Sequence, residues 1–400
     1  MNNNLKNILY IGVNSSTTFI QRTIKEIKKH KDFNYYILVD DYNHLNIISD
    51  DIRYIKKISS LKDFLSSGTF FNFIKILLSI NSLIKLKKAF QSMEYSSSID
   101  KIKIIFKNLN LFCIDIQIVH FQWFNHYKDY DWYININKIK TIGNVRGSML
   151  TVAPFKNQKD FISNQNIFNK LDRIHFVSAS IKEYAFLNYD MDENRSFVHY
   201  NGIDTDFFKP KINVESKKIT LTMNGGFEWR KNFSFAFYII KQLISINRDK
   251  EIFIIVIGYG EDIWKLNFFI ERLMLSKNIK LLGRLNEDQV LEELQKTDIF
   301  ISTSHAEGLS NSVMEAASVG IPCVVLNCEG MDELIINGET GFIINTNEIT
   351  TFLDKLNQLI NNLELRLKMG HQARLHILEK FKISDQIHEL LTSYKTISSK

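Results

Sequence analysis

The residues best suited to chemistry in this 400-residue chain lie in the run Thr303-Ser304-His305-Ala306-Glu307-Gly308-Leu309-Ser310-Asn311-Ser312-Val313-Met314-Glu315. Glu307 falls on a loop after a short apolar strand. The free backbone N–H groups from Gly308 to Ser312 open a helix, and a helix start of this kind binds anions such as phosphate. An acid beside an anion site is costly unless it hydrogen-bonds something polar, and the hydroxyls of a sugar would serve. Glu315 follows on the helix. Ser312-x-x-Glu315 also reads as a capping box, in which Glu315 would satisfy only a backbone N–H. A second loop, Asn224-Gly225-Gly226-Phe227-Glu228-Trp229-Arg230-Lys231-Asn232, combines two glycines, which let backbone approach a ligand, with two cations. Arg230 and Lys231 are suited to phosphate. Gly258-Tyr259-Gly260-Glu261 stops short of a dinucleotide fingerprint, because Ile263 stands where the third glycine belongs.

The elements that must position these residues alternate strand and helix. In the first half, strands are expected at Leu5–Ile11, Tyr35–Val39, Ile114–Phe121, Thr141–Val145 and Asp172–Val177, with a helix at Phe19–Lys29. In the second half, strands at Ile219–Met223, Ile252–Ile257, Ile279–Leu282, Ile299–Ser302 and Cys323–Leu326 each run into a loop and a helix. The helical pattern Phe233–Ile246 follows the first of these loops, and Leu363–Lys380 and Ser384–Tyr394 end the chain. This alternation predicts an α/β protein of two doubly wound domains, with ligands at the carboxyl ends of the strands and a cleft between the domains. Pro210 and the polar segment Lys211–Lys218 read as the linker. The expected division is 1–207, 208–383, and a terminal helix in 384–400 that packs outside the second sheet or crosses back onto the first.

Composition narrows the functional classes. An apolar fraction of 45% with 24% charged residues is that of a folded protein, and a net charge of +6 over 400 residues is too dilute to argue for nucleic acid as a partner. Three cysteines without C-x-x-C spacing suggest neither a disulfide framework nor a zinc site, which fits a reducing cytoplasm. No apolar run reaches the length of a membrane span. The stretch Phe70–Leu78 through Leu86-Lys87-Lys88 is apolar and helical, with lysines at 75, 85, 87 and 88. It reads either as a helix packed on the first sheet or as one lying on an anionic membrane.

Taken together, the motifs resemble those of the family 4 retaining glycosyltransferases of GT-B fold. Glu307 and Glu315 stand at the two glutamates of the E-x(7)-E signature. Gly320-Ile321-Pro322-Cys323-Val324-Val325 is similar to that family's G-x-P-V-V strand, and Gly330-Met331-Asp332-Glu333 with Asn337-Gly338-Glu339-Thr340-Gly341-Phe342 is similar to its closing stretch. Val177-Ser178-Ala179-Ser180 and Asn201–Pro210 resemble the end of its first domain. The likeness covers roughly residues 115 to 345. It implies a GT-B architecture, two facing Rossmann-like domains with a nucleotide-sugar donor in the cleft and a glycan or lipid-linked acceptor on the first domain's side.

The roles that follow from this resemblance are specific. Glu315 would bind the ribose hydroxyls and Glu307 the hydroxyls of the donor sugar, with the backbone of Gly308, Leu309 and Ser310 near the diphosphate. Lys231 would neutralise the departing diphosphate. Gly226 occupies the family's usual arginine position, so Arg230 supplies the second charge from elsewhere or the site has one cation fewer. Gly258 and Arg284 would shape the base pocket, and Gly12 would let the first loop approach the diphosphate. Arg146 and Gly147 stand where many relatives carry a His-Asp pair, and Arg146 would contact donor phosphate or the acceptor. His120 reads equally as a structural histidine or an acceptor ligand. No cofactor beyond the donor is expected, and no catalytic metal, although Asp129-Tyr130-Asp131, Asp190-Met191-Asp192 and Asp204-Thr205-Asp206 all fit D-x-D. The setting implied is surface polysaccharide or lipopolysaccharide assembly in the cytoplasm or at the inner face of the membrane. A nucleotide-sugar epimerase or hydrolase and a non-catalytic sugar-nucleotide binder are the alternatives.

Overall fold

A computed structural model describes residues 5–13, 18–40, 52–93, 97–210, 218–346 and 348–398. The sequence-predicted linker at Lys211–Lys218 lies, but for its last residue, outside the described residues.

Two parallel sheets carry the fold. The first contains β1 (Asn7–Ile11), β2 (Asn34–Val39), β3 (Ile52–Lys56), β4 (Ile118–Phe121), β5 (Lys140–Val145), β6 (Arg173–Phe176) and β7 (Ser196–Val198), in the order β3-β2-β1-β4-β5-β6-β7. The second contains β8 (Lys218–Asn224), β9 (Glu251–Ile257), β10 (Ile279–Gly283), β11 (Ile299–Ser302), β12 (Cys323–Leu326) and β13 (Gly341–Ile344), in the order β10-β9-β8-β11-β12-β13. The central strands β1, β4, β5, β11 and β12 are almost continuously buried, as strands covered by helices on both faces must be. In each sheet the order reverses beside the first strand, between β1 and β4 and between β8 and β11, and a crevice opens at such a point. The loops carrying Gly12, Lys231 and Glu307 leave the strands at these two places.

Most predicted elements form within two residues of their expected ends, and helices Phe233–Ile246 and Leu363–Lys380 match theirs. The strand expected from Ile114 starts only at Ile118, because Leu109–Cys113 winds into a 3-10 turn. Strands β3, β7 and β13 have no counterpart among the predicted strands.

The domains are joined by two neighbouring segments. Ile203 donates its N–H to the Phe381 carbonyl at 2.8 Å, and Ile383 donates to the Ile203 carbonyl at 3.0 Å. The terminal helix, Ile383–Ser398, then packs on the first domain, where Ile387, Leu390, Leu391 and Tyr394 join the core formed by Ile8, Tyr10 and Ile118. Of the two placements the sequence left open for this helix, the return to the first domain is the one adopted.

Candidate active site

Glu307 sits on the loop between β11 and helix Asn311–Val319, 8% exposed, and meets two cations from the loop after β8. Lys231 Nζ donates to Glu307 Oε1 at 2.5 Å, and an Arg230 Nη lies 3.4 Å from Glu307 Oε2. Arg230 also donates to the Glu228 carboxylate at 2.6 Å and to the Ala306 carbonyl at 3.3 Å. Burial alone would push the Glu307 carboxyl up. The charges of Lys231 and Arg230, with hydrogen bonds from Lys231 and Ser304, outweigh it and hold the acid below its ordinary range. Glu307 is therefore ionised at neutral pH, and its two cations are concentrated on one loop edge.

Gly225 rather than Gly226 is the glycine that Lys231 requires. A Cβ on Gly225 would lie 2.9 Å from the lysine Cε, whereas one on Gly226 would meet the Glu228 carboxylate at 3.3 Å and the Tyr259 carbonyl oxygen at 3.9 Å. Gly258, with φ +144°, closes the same corner, since its Cβ would stand 1.9 Å from the Gly225 carbonyl oxygen. Arg284 is placed against the next turn, its guanidinium 5.0 Å from the Tyr259 ring. Together these loops form a shallow shelf beside the carboxyl end of β9.

Glu315 is equally buried, at 7% exposed, but its partner comes from the other domain. Arg22, on helix Thr18–Ile27, donates to Glu315 Oε1 at 2.7 Å and to Glu287 Oε1 at 2.6 Å, while its guanidinium stacks 4.7 Å over Phe208. Burial raises the Glu315 carboxyl and the nearby Glu287 charge adds to this, with Arg22 only partly opposing them. The capping box does not form: the helix N-cap is Ser310, without a side-chain cap bond, and Glu315 spends its carboxylate on Arg22.

The first domain meets this loop at a glycine. A Cβ built on Gly147 would lie 2.1 Å from the Glu307 carbonyl oxygen, and one on Gly308 would lie 2.6 Å from the Gly147 nitrogen. Backbone therefore touches backbone across the seam. Gly147 follows Arg146, which is half-buried just after β5 and donates to the Gln122 carbonyl at 3.0 Å. Its guanidinium stacks on Phe19 at 4.6 Å and Trp123 at 5.5 Å. It pairs with no carboxylate among the described residues, and burial pushes it down to about 9. Nearby, Glu333 accepts both the Ala179 and Ser180 backbone N–H groups at 3.0 Å, capping a first-domain helix from the second domain.

Gly12 lines a separate cavity of about 470 Å³ at the carboxyl ends of β1, β2 and β4, with Asp40, Lys57, Trp123, His126 and Asp129. His120 does not reach it. Its Nδ1 bonds to the Tyr394 hydroxyl at 2.7 Å and its Nε2 to His175 at 3.3 Å, and His175 in turn bonds to His199. All three histidines are wholly enclosed, and burial pushes each well below its ordinary range, so the row is neutral and structural. Among the D-x-D pairs, Asp204 accepts N–H groups of its own turn, from Asp206 at 3.1 Å and Phe207 at 3.0 Å, and Asp192 caps another turn by accepting from Asn194 at 2.9 Å. Sequence reasoning missed Arg22 and Glu287 and gave Glu333 no role beyond its place in the closing stretch, because a partner across a domain boundary leaves no spacing signal. It passed over Gly147 as a departure from pattern, although the lack of a side chain is what lets the domains touch there.

Comparison with known proteins follows this geometry. Residues 204–376 match the family described as glycosyl transferases group 1. The chain is 27% identical over 251 residues to an uncharacterized glycosyltransferase of Methanocaldococcus jannaschii, covering 59% of this chain and 62% of that one. It is 27% identical over 224 residues to the UDP-Gal:alpha-D-GlcNAc-diphosphoundecaprenol alpha-1,3-galactosyltransferase of Escherichia coli, covering 53% of this chain and 57% of that one. The match thus spans less than two thirds of these relatives. Solved structures superpose over nearly the whole chain. HepE of Anabaena, in complex with UDP and glucose, has a TM-score of 0.70 at 15% identity, covering 97% of this chain and 100% of that one. TarM of Staphylococcus aureus has 0.73 at 15% identity, covering 97% and 99%. The residues that match the group 1 glycosyl transferases thus include the Glu307 and Lys231 loops and the Glu315 helix of the second domain, in a chain that has the GT-B fold.

Proposed function

We propose that this protein is a retaining, metal-independent glycosyltransferase. It moves a sugar from a nucleotide diphosphate sugar to a hydroxyl of a glycan or lipid-linked acceptor, in the assembly of a surface polysaccharide or lipopolysaccharide in the cytoplasm or at the inner face of the membrane. The observation that carries this reading is the cluster in which Lys231 and Arg230 meet the buried Glu307 carboxylate, with the buried Glu315 on the helix that follows the Glu307 loop. The two curated relatives with defined reactions on polyprenol-linked sugars, from Escherichia coli and Campylobacter jejuni, support the substrate class.

In this reaction the bond from the sugar's anomeric carbon to the diphosphate breaks and a bond to the acceptor oxygen forms on the same face. The acceptor's proton passes to a departing phosphate oxygen. Lys231, Arg230 and the N–H groups at Gly308–Ser310 stabilise the charge that develops on that diphosphate. Glu307 orients the donor sugar and holds Lys231 in place through their ion pair. Glu315 has one carboxylate oxygen on Arg22, which leaves the other for the ribose hydroxyls. The cavity beside Gly12 takes the acceptor. With purified protein and a donor that binds, sugar transfer to an added polyprenyl-diphosphate-sugar, with retained anomeric configuration, supports the proposal. Donor consumption without acceptor assigns the protein instead to epimerases or hydrolases, and binding without turnover in either case makes it a sugar-nucleotide binder.

A further inference from the structure

Between β3 and β4 the chain makes a helical layer whose outer face is apolar. Helix Ser67–Leu78 carries Phe73 and Ile76 against the first-domain core, as an amphipathic helix should. Its other face is also apolar, with Phe71, Ile74, Leu77 and Leu78 exposed. Helix Ile80–Ser92 continues the surface with Ile80, Leu83 and Ile84, and Leu78 and Ile80 at the corner are 81% and 76% exposed. Ile99 and Ile102 extend it on helix Ser98–Lys107, which buries none of its residues. Large apolar side chains exposed in this number on one helical layer mark a contact.

Charge identifies the partner. Residues 61–107 contain eight lysines against three acids, a net +5 in a chain whose total is +6. Nearly all of the protein's excess positive charge is therefore carried by the segment with the apolar face. The two longer helices meet at 95° about Ser79, and each is shorter than a bilayer's apolar thickness, so they do not cross a membrane in line. Apolar side chains between lysines on helices of this length suit the plane of an interface.

We propose that this helical layer docks the protein on the surface of a bilayer containing anionic lipid, with Leu77, Leu78, Ile80 and Leu83 inserted and Lys75, Lys85, Lys87 and Lys88 at the headgroups. The end of the third helix adjoins the Gly12 cavity: Asp40, which lines the cavity, lies 3.7 Å from Lys107. Membrane docking stands independently of the transferase reading, since it rests on the layer's surface alone.

The test is co-sedimentation of the full chain with phosphatidylcholine vesicles, with and without phosphatidylglycerol, at low and high salt. Wild type is expected to sediment with the anionic vesicles and to be released by salt. Leu78→Asn with Ile80→Asn should lower partitioning about a hundredfold, and Lys85→Gln, Lys87→Gln and Lys88→Gln together should do the same at low salt. Both variants should melt at the wild-type temperature, because these side chains face outward. Wild type remaining in solution with anionic vesicles, or binding neutral vesicles equally, overturns the proposal. So does light scattering that finds a dimer which Leu78→Asn with Ile80→Asn converts to monomer, since a second copy would then cover the face.

Discussion

Replacing Lys231 by Met separates two roles that the geometry assigns to one side chain. The Lys231–Glu307 pair is almost fully buried, and removing one partner of a buried pair costs about 3–5 kcal/mol, because a charge is left uncompensated. Arg230 remains 3.4 Å from the other carboxylate oxygen, which brings the expected loss to the lower end, about 3 kcal/mol. For a domain of this size that corresponds to a fall in Tm of about 6–12 °C. Activity should fall further, by about two to three orders of magnitude in kcat, since a cation aimed at the leaving diphosphate is lost. Adding Glu307→Gln to Lys231→Met discriminates the two effects. The neutral amide no longer needs a cation, so most of the lost Tm should return, while turnover should not. The assay is a double-mutant cycle, read once by calorimetry and once by initial rates at saturating donor. Recovery of kcat together with Tm would show that Lys231 only neutralises Glu307 and would refute its role on the diphosphate.

Other expectations follow from the same contacts. Arg22→Ala leaves Glu315 buried without its cation, so stability should fall by about 3 kcal/mol, and Arg22→Lys should restore part of it, measured by urea unfolding. Gly147→Val would place carbon 2.1 Å from the Glu307 carbonyl oxygen, so the domains must separate; donor KM should rise severalfold with first-domain stability little changed. His120, His175 and His199 are held neutral by burial, with pKa values pushed below that of the unfolded chain. Their contribution is therefore intact above about pH 6.5 and is lost as pH falls below it, by at most about 1.4 kcal/mol per pH unit for each. Thermal melts between neutral pH and pH 5 should show that slope, and His175→Gln should reduce it.

The fold was largely legible because parallel strands in a two-sided sheet are short apolar runs, and nearly all such runs were found. The failures have particular causes. β7, at Ser196–Val198, is three half-buried residues on a sheet edge, and β13, at Gly341–Ile344, is only four residues long and starts at a glycine. β3 alternates Arg53 and Lys56 with Ile and Tyr, a weak signal beside the helices that follow. At the site, Glu307 and Lys231 were readable because both follow buried strands on loops rich in glycine. Arg22 was not, since it sits mid-helix and acquires meaning only when the second domain brings Glu287 and Glu315 to it. His120 could not be assigned from sequence because its partners, Tyr394 and His175, lie 274 and 55 residues away.

The most direct test is the thermal stability of wild type and Glu315→Gln, each titrated with a panel of uridine, guanosine and other nucleotide diphosphate sugars. A ligand that binds only the folded state raises Tm in proportion to its affinity. The site described here predicts that one nucleotide class stabilises wild type selectively and that Glu315→Gln abolishes the shift while keeping its fold. An absence of any shift in wild type, or an equal shift in Glu315→Gln, would contradict a nucleotide-sugar site at Glu315.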